Sequence, residues 1–129
     1  MENGKKIQTF RDLAAWQRAM DLAKCLYMVT KQMPDAERFG LTNQMRRAVV
    51  SIPSNIAEGY ARQSLIDYLR FLRTSRGSLA ELSTQVELAT DMKMIPANPR
   101  LQSLLEETDR ILQFLIMSLE KRRKSNESQ

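Results

Sequence analysis

Residues 64–93 read SLIDYLRFLRTSRGSLAELSTQVELATDMK and carry the clearest helical pattern in the chain. Their apolar residues recur three, four or seven positions apart, as on one face of a helix. That face consists of Leu65, Leu69, Leu72, Leu79, Leu82, Val86 and Ala89. Ser64 followed by Asp67 matches a helix cap, in which a hydroxyl precedes an acid by three residues. The pattern predicts one helix from about Ser64 to Lys93, with Leu72 and Leu79 at the centre of the core.

Gly77 interrupts this helix near its middle. A glycine inside a helix costs about 1 kcal/mol relative to alanine, and Gly77 projects away from the leucine face. Two explanations stay open at this point: another backbone approaches closely at Gly77, or the glycine is simply tolerated.

Apolar spacing and helix-breaking residues predict three further helices, over about Arg11–Gln32, Leu41–Ala61 and Pro99–Arg123. In the first, we expect the buried stripe to be Leu13, Trp16, Met20, Ala23, Tyr27 and Thr30, widened by Leu22, Leu26 and Val29. Asn98-Pro99 predicts the start of the last helix, because a cap residue is followed by proline at the first helical position.

Four amphipathic helices joined by short loops predict an all-α fold, an antiparallel up-down-up-down four-helix bundle. At 129 residues the chain is expected to form a single domain, 1–129, with an ordered core of about 9–123 and tails 1–8 and 124–129.

The second predicted helix has two apolar sides. Pro53 should bend this helix rather than end it, because the main stripe continues in phase through Ile56. A surface helix needs only one buried stripe, so the second side is expected to contact another subunit. The predicted oligomer interface consists of Val50, Pro53, Ala57 and Gly77.

The composition excludes several kinds of site. The chain has no histidine and one cysteine, Cys25, so zinc sites built from Cys and His and catalysis by Ser–His or Cys–His have no candidates within one chain. Glu58, Asp67 and Glu81 show no spacing that demands a shared pocket, and Glu58 is expected to neutralise a nearby arginine. We therefore expect no catalytic residues, no metal and no cofactor. Cys25 is expected to be a small core residue rather than a reactive thiol.

Targeting signals are also missing from the sequence. No apolar run of signal-peptide length follows the N-terminal residues, and the longest uncharged run near the other end is too short to span a bilayer. A lone cysteine fits a reducing compartment. We expect a cytoplasmic protein that does not associate with membranes.

Arginine is concentrated in residues 38–76, which hold seven arginines, no lysine and only two acids, Glu58 and Asp67. The excess, 7 − 2 = +5, equals the formal net charge of the whole chain. The planar guanidinium binds phosphate bidentately and stacks on bases, which favours a polyanion partner. The alternatives are a solvated basic surface or arginines paired with acids of a neighbouring subunit. The predicted nucleic-acid contacts are Arg46, Arg47, Arg62, Arg70 and Arg73, while Arg76 lies close enough to the leucine face to form an interhelix ion pair.

Several segments together resemble a known family. They are Phe10–Gln17, Glu37–Leu41, Gln44–Ala48, Ser51–Gly59, Tyr68–Leu72 and Gly77–Leu82. Over about residues 10–94 the chain resembles the four-helix-bundle proteins encoded within intervening sequences of 23S ribosomal RNA genes, and the run SIPSNIAEG at residues 51–59 is the most recognisable motif. The fourth helix is similar in pattern only.

The resemblance implies a four-helix bundle that assembles into a ring-like homopentamer. It also implies similarity to the accessory protein of diversity-generating retroelements, a basic pentameric bundle thought to bind nucleic acid and a reverse transcriptase. It supplies no catalytic residues. Some genes of this family lie in ribosomal RNA genes, but that location does not define what the proteins do.

Two function classes remain after the enzyme is set aside. The first is an oligomeric scaffold that binds nucleic acid, with structured RNA favoured because it is read largely through shape and backbone contacts. The second is an adaptor for protein–protein interaction, suggested by the second apolar side and by eight methionines, although most of these suit a core. The aromatics sit mainly at core spacing, so no base-stacking platform is evident from the sequence.

Overall fold

The computed structural model describes residues 6–127, and within them it contains helices and no strands. Four α-helices form the fold: α1 (Ala14–Val29), α2 (Leu41–Tyr60), α3 (Leu65–Asp91) and α4 (Pro99–Glu127). Three short 3₁₀ turns, Phe10–Asp12, Thr30–Gln32 and Asp35–Glu37, lie before and after α1. The predicted tails fall partly outside the described residues, but α4 continues to Glu127 instead of ending near Arg123.

Two of the predicted helix starts are confirmed. The Ser64 hydroxyl accepts a hydrogen bond from the backbone N–H of Asp67, which caps α3. The Asn98 side-chain oxygen accepts one from the N–H of Leu101, and Pro99 is the first residue of α4. Each cap satisfies a backbone donor that has no partner within the helix.

The first predicted helix is divided into three pieces. Thr9 and Asp12 form a reciprocal cap around the Phe10–Asp12 turn, and Leu13 adopts an extended conformation before α1 begins. The expected stripe is confirmed in part, because five of its residues are buried: Leu13, Leu22, Leu26, Val29 and Thr30. Ala15 and Ala19 are also buried, although the sequence did not place them in the stripe. Tyr27 is 40% exposed, and Arg46 of α2 lies over its ring.

One hydrophobic core is shared by all four helices. α1 packs against α2 and α4, and α3 packs against the same two helices. Leu72 and Leu79 are buried, as expected. On α4, Ile116 is buried, whereas its neighbour Leu115 is only half-buried.

α2 runs through Pro53 without a break, which excludes a helix end at that residue. Its contact with α3 is the most extensive of any helix pair. A Cβ atom at Gly59 would lie only 2.7 Å from Cβ of Phe71 and 3.1 Å from Cδ1 of Tyr68. Glycine at this position therefore allows the two helices to approach closely.

No helix within residues 6–127 is both long enough and apolar enough to span a bilayer.

Candidate functional site

The turn from α2 to α3 brings two predicted arginines to the same aromatic ring. The guanidinium carbon of Arg62 lies 4.8 Å from the ring centre of Phe71, and that of Arg70 lies 5.9 Å from it. Tyr60 and Tyr68 pack edge to face beside them, with ring centres 6.0 Å apart. These five residues, Tyr60, Arg62, Tyr68, Arg70 and Phe71, are called the arginine–aromatic corner below.

Local sequence explains why this corner forms. α2 ends at Tyr60, the N–H of Arg62 donates to the carbonyl of Gly59, and Ser64 caps α3 almost at once. The short connection keeps Arg62 next to the first turns of α3. The missing side chain at Gly59 then lets Phe71 and Tyr68 pack against the end of α2.

Both corner arginines keep part of their hydrogen-bonding capacity. Arg70 donates to the carboxylate of Asp67 at 3.1 Å, yet its side chain is 71% exposed. Arg62 is exposed and contacts the face of Phe71, where cation–π attraction holds a guanidinium while its N–H edge stays available. An arginine held flat on an aromatic ring can bind phosphate or stack on a base.

Arg46 is committed to a contact inside the protomer. Its Nε donates to the hydroxyl of Thr30 at 2.9 Å, and its guanidinium carbon lies 4.7 Å from the ring centre of Tyr27. Thr30 in turn donates to the carbonyl of Leu26. This network joins the end of α1 to α2, so the contacts of Arg46 stabilise the fold and leave its guanidinium less available to a ligand.

Arg73 and Arg76 form ion pairs from α3 to α4. Arg73 pairs with Glu120, and Arg76 Nε donates to Asp109 at 3.0 Å. The interhelix ion pair expected for Arg76 is confirmed. Arg73 was predicted to contact nucleic acid, but its charge is partly neutralised by Glu120 of α4.

Three other charged residues of the arginine-rich segment 38–76 have exposed side chains. Arg47 is exposed and has no hydrogen bond, ion pair or ring contact among residues 6–127. Arg38 lies over the ring of Phe39, 5.1 Å from its centre. Glu58 is exposed and forms no ion pair in the described part of the chain, contrary to the expectation that it neutralises an arginine.

The four predicted interface residues differ in exposure. Val50 is 45% exposed, Ala57 is half-buried and Pro53 is buried within the protomer, which leaves Pro53 little surface to offer. Gly77 is exposed, and no atom lies within 4 Å of the position that a Cβ would occupy. No segment among residues 6–127 therefore approaches the Cβ position of Gly77.

An open groove of about 820 Å³ runs between α3 and α4. Leu79, Leu105 and Ile116 contribute its apolar surface, and Gly77, Ala80 and Ser83 form its margin on α3. The margin on α4 includes Glu106, Asp109, Met117 and Glu120. The ion pairs of Arg73 and Arg76 cross it. We call this feature the α3–α4 groove.

Cys25 is half-buried and lies in a shallow depression with Met28 and Arg100. Burial raises the pKa of its thiol, and the nearby Arg100 opposes that shift only in part. A raised pKa leaves less thiolate at neutral pH, as expected of a structural cysteine. Among residues 6–127, no three His, Cys, Asp or Glu side chains are grouped to bind a metal ion.

The sequence did not reveal two features, the corner and the groove. Phe71 was assigned to the core because its spacing suited the apolar face, although Arg70 beside it was a signal of an arginine–aromatic contact. The groove depends on how far apart α3 and α4 lie, and no local pattern reports that distance.

Comparison with known proteins places the chain in a family. The family model described as 23S rRNA-intervening sequence protein matches residues 11–117. No curated protein matched the chain. The matched region contains α1, α2 and α3 in full and most of α4, including the arginine–aromatic corner and all of the described α3–α4 groove except Glu120. The chain belongs to the 23S rRNA-intervening sequence protein family.

Proposed function

We propose that this protein is a non-enzymatic oligomeric scaffold that binds nucleic acid, with structured RNA favoured, through arginines of α2 and α3. The observation that carries the proposal is the arginine–aromatic corner. There, two exposed guanidiniums share one aromatic ring within a segment whose arginines outnumber its acids seven to two.

The corner suits structured RNA for a chemical reason. An RNA helix offers closely spaced phosphates, and its loops offer unstacked bases that can stack on guanidinium planes or aromatic rings. Arg62 and Arg70 provide both kinds of contact at one place. Arg47 adds an unpaired charge on α2, whereas Arg46 and Arg73 would first have to leave their partners inside the protomer.

The scaffold that we propose is an antiparallel up-down-up-down four-helix bundle. The pairing of contacts supports this topology. Gly59, near the end of α2, lies against Phe71 near the start of α3. Ser75, which is later in α3, donates a hydrogen bond to the carbonyl of Ile52, which is earlier in α2. In the same way Arg73 pairs with Glu120 and Arg76 with the earlier Asp109.

The scaffold that we propose contains several copies of this bundle, with a homopentamer favoured, as the resemblance described under Sequence analysis implies. A ring of copies would repeat the corner around one particle and strengthen its field for polyanions. The lone cysteine supports a reducing, cytoplasmic location for this assembly.

The proposal is tested by measuring the affinity for an RNA hairpin across a salt series. The logarithm of the affinity should fall linearly with the logarithm of salt, with a slope of about 0.7–0.9 per phosphate neutralised. The double variant Arg62→Gln/Arg70→Gln removes two cations, so its slope should be shallower by about 1.4–1.8 for each hairpin bound by one corner.

The matched control is Lys24→Gln/Lys31→Gln, which removes the same charge from exposed positions in and after α1. It should keep the wild-type slope. Equal slopes for the wild type and the corner variant would eliminate the corner as the binding site, and no measurable affinity at low salt would eliminate the function.

A protein-interaction adaptor is the second candidate, and exposed apolar side chains favour it. Phe39 is 85% exposed beside the start of α2, and Phe114 and Met117 are exposed one turn apart on α4. Binding of a protein partner that resists both salt and nuclease, and that is lost in Phe114→Asp, would favour this class.

A further inference from the structure

We infer that the α3–α4 groove is the docking site for α2 of a second copy of this chain, so that copies join head to tail. The inference rests on the oligomeric part of the proposed function and assigns it a surface, on the solvent side of the ion pairs that join α3 to α4. It does not depend on which nucleic acid is bound.

The first step concerns Gly77. In the described part of the protomer nothing lies within 4 Å of the Cβ position at this residue, so no contact there requires a glycine. A glycine inside a helix nevertheless costs about 1 kcal/mol. Ala80 and Ser83 continue the same margin with small side chains. A partner helix could therefore approach α3 to an axis separation near the lower end of the usual 8–10 Å.

The second step concerns what enters the groove. Val50, Ser54 and Ala57 lie four and three residues apart on α2, so they share one face, and Val50 and Ser54 are exposed. These side chains are small to medium in size, which suits the exposed margin of the groove on α3, formed by Gly77, Ala80 and Ser83. The leucines and isoleucine beneath that margin are nearly covered by the protomer itself.

The third step is charge complementarity. The groove carries three carboxylates, Glu106, Asp109 and Glu120, against the two guanidiniums of Arg73 and Arg76. Asp109 and Glu120 are paired with those arginines, so Glu106 is the acid in excess. Arg47 precedes Val50 by three residues on α2 and has no partner in the described protomer. The geometry assigns Arg47 to Glu106 of the adjacent copy.

The two surfaces lie on different helices, so the contact is heterologous. A heterologous contact leaves one α2 face and one groove free in a pair of copies, and further copies add until a ring closes. This arrangement predicts an assembly of more than two subunits. It also removes Arg47 from the predicted phosphate contacts and leaves Arg62 and Arg70 as the principal ones.

The first test is the solution mass of the full chain by light scattering, for the wild type and for Gly77→Leu. The open space at Gly77 lets the variant fold, which circular dichroism verifies, but leucine blocks the groove. We expect the wild type to be an oligomer of more than two copies and Gly77→Leu to dissociate at the same concentration. Ser103→Leu, on an exposed part of α4 outside the groove, is the control and should keep the wild-type mass.

The second test exchanges charges. Arg47→Glu and Glu106→Arg should each raise the dissociation constant of the assembly at least about tenfold, because like charges then face each other. The double variant Arg47→Glu/Glu106→Arg should recover the wild-type mass. Rescue is an outcome that misfolding of either single variant cannot produce.

A wild-type monomer, a Gly77→Leu protein of wild-type mass, or a double variant that stays dissociated would each overturn this inference. The nucleic-acid proposal fails differently, through a salt slope that Arg62 and Arg70 do not affect. A monomer that binds RNA through the corner would therefore refute the docking site and the oligomeric part of the proposed function but not nucleic-acid binding. An assembled particle indifferent to RNA would refute the nucleic-acid role alone.

Discussion

α3 has two sides that are built differently. Toward α2 it is tightly packed: Gly59 admits Phe71, and the buried hydroxyl of Ser75 donates to the carbonyl of Ile52 at 2.8 Å. Toward α4 it is more open, and the ion pairs of Arg73 and Arg76 cross the α3–α4 groove. Close packing and buried hydrogen bonds contribute more stability than exposed ion pairs do. The comparison teaches that the α2 side of α3 contributes more to the stability of the fold than the α4 side, which is the side we propose for association.

The largest effect should follow from removing the leucine at the centre of the tight side. Leu72→Ala should lower the free energy of unfolding by about 2–5 kcal/mol, because it deletes buried methyl groups and leaves a cavity. Leu88→Ala is the control, since Leu88 lies on the same helix but is exposed. Chemical denaturation measures both, and a loss below about 0.5 kcal/mol for Leu72→Ala would contradict the position of this residue in the core.

Two glycine replacements should change the free energy of unfolding in opposite directions. Gly59→Ala places a Cβ 2.7 Å from Cβ of Phe71, and overpacking of about 1–3 kcal/mol should exceed the roughly 1 kcal/mol gained in helix propensity. Gly77→Ala meets no atom within 4 Å, so at protein concentrations where any assembly has dissociated it should gain up to about 1 kcal/mol. Thermal unfolding of the pair compares the two sides of α3 directly, and stabilisation by both variants would remove the distinction.

Ser75→Ala should lower the free energy of unfolding by about 1 kcal/mol, since it deletes one buried hydrogen bond between α3 and α2. Thr74→Ala is a suitable control, because its exposed hydroxyl bonds only the carbonyl of Arg70 within its own helix. Denaturant midpoints measure the difference. Equal stability of the two variants would show that the Ser75 bond adds nothing to the α2–α3 contact.

The smallest effect should come from the open side. Arg76→Gln should cost less than about 1 kcal/mol, because the Arg76 and Asp109 side chains are 47% and 39% exposed and water and salt screen their attraction. The cost should shrink further in 1 M salt, which denaturation at two salt concentrations measures. A salt-independent loss as large as that of Leu72→Ala would mean that α4 depends on this pair as much as α2 depends on packing.

Local signals predicted much of this fold. Ser64 and Asn98-Pro99 cap helices through contacts within a few residues, so their sequence is sufficient to recognise them. The leucine spacing of α3 places Leu72 and Leu79 correctly for the same reason. The stripe of α1 was predicted only in part: Leu22, Leu26 and Val29 are buried as expected, but Ala15 and Ala19 were missed because several adjacent faces of that helix are apolar. Only the packed structure determines which face turns inward.

The candidate site was predictable only in part. The excess of arginine was visible in the sequence, but the partner of each arginine was not. Arg73 and Glu120 are 47 positions apart, and Arg46 and Thr30 are 16 apart, so no local pattern joins them. A count of charges therefore overstates how many guanidiniums are available to a ligand. The structure separates those that support the fold from those that remain accessible.

The unequal packing on the two sides of α3 also determines where the native state opens locally. Local opening begins where buried contacts are fewest, and amide hydrogens there exchange with solvent soonest. α3 makes a smaller contact with α4 than with α2, and the α2–α3 contact is the broadest between helices in the described part of the chain. We expect α4 amides to exchange before those near Ile52 and Ser75, so that the last protected nucleus of the native state is the α2–α3 pair.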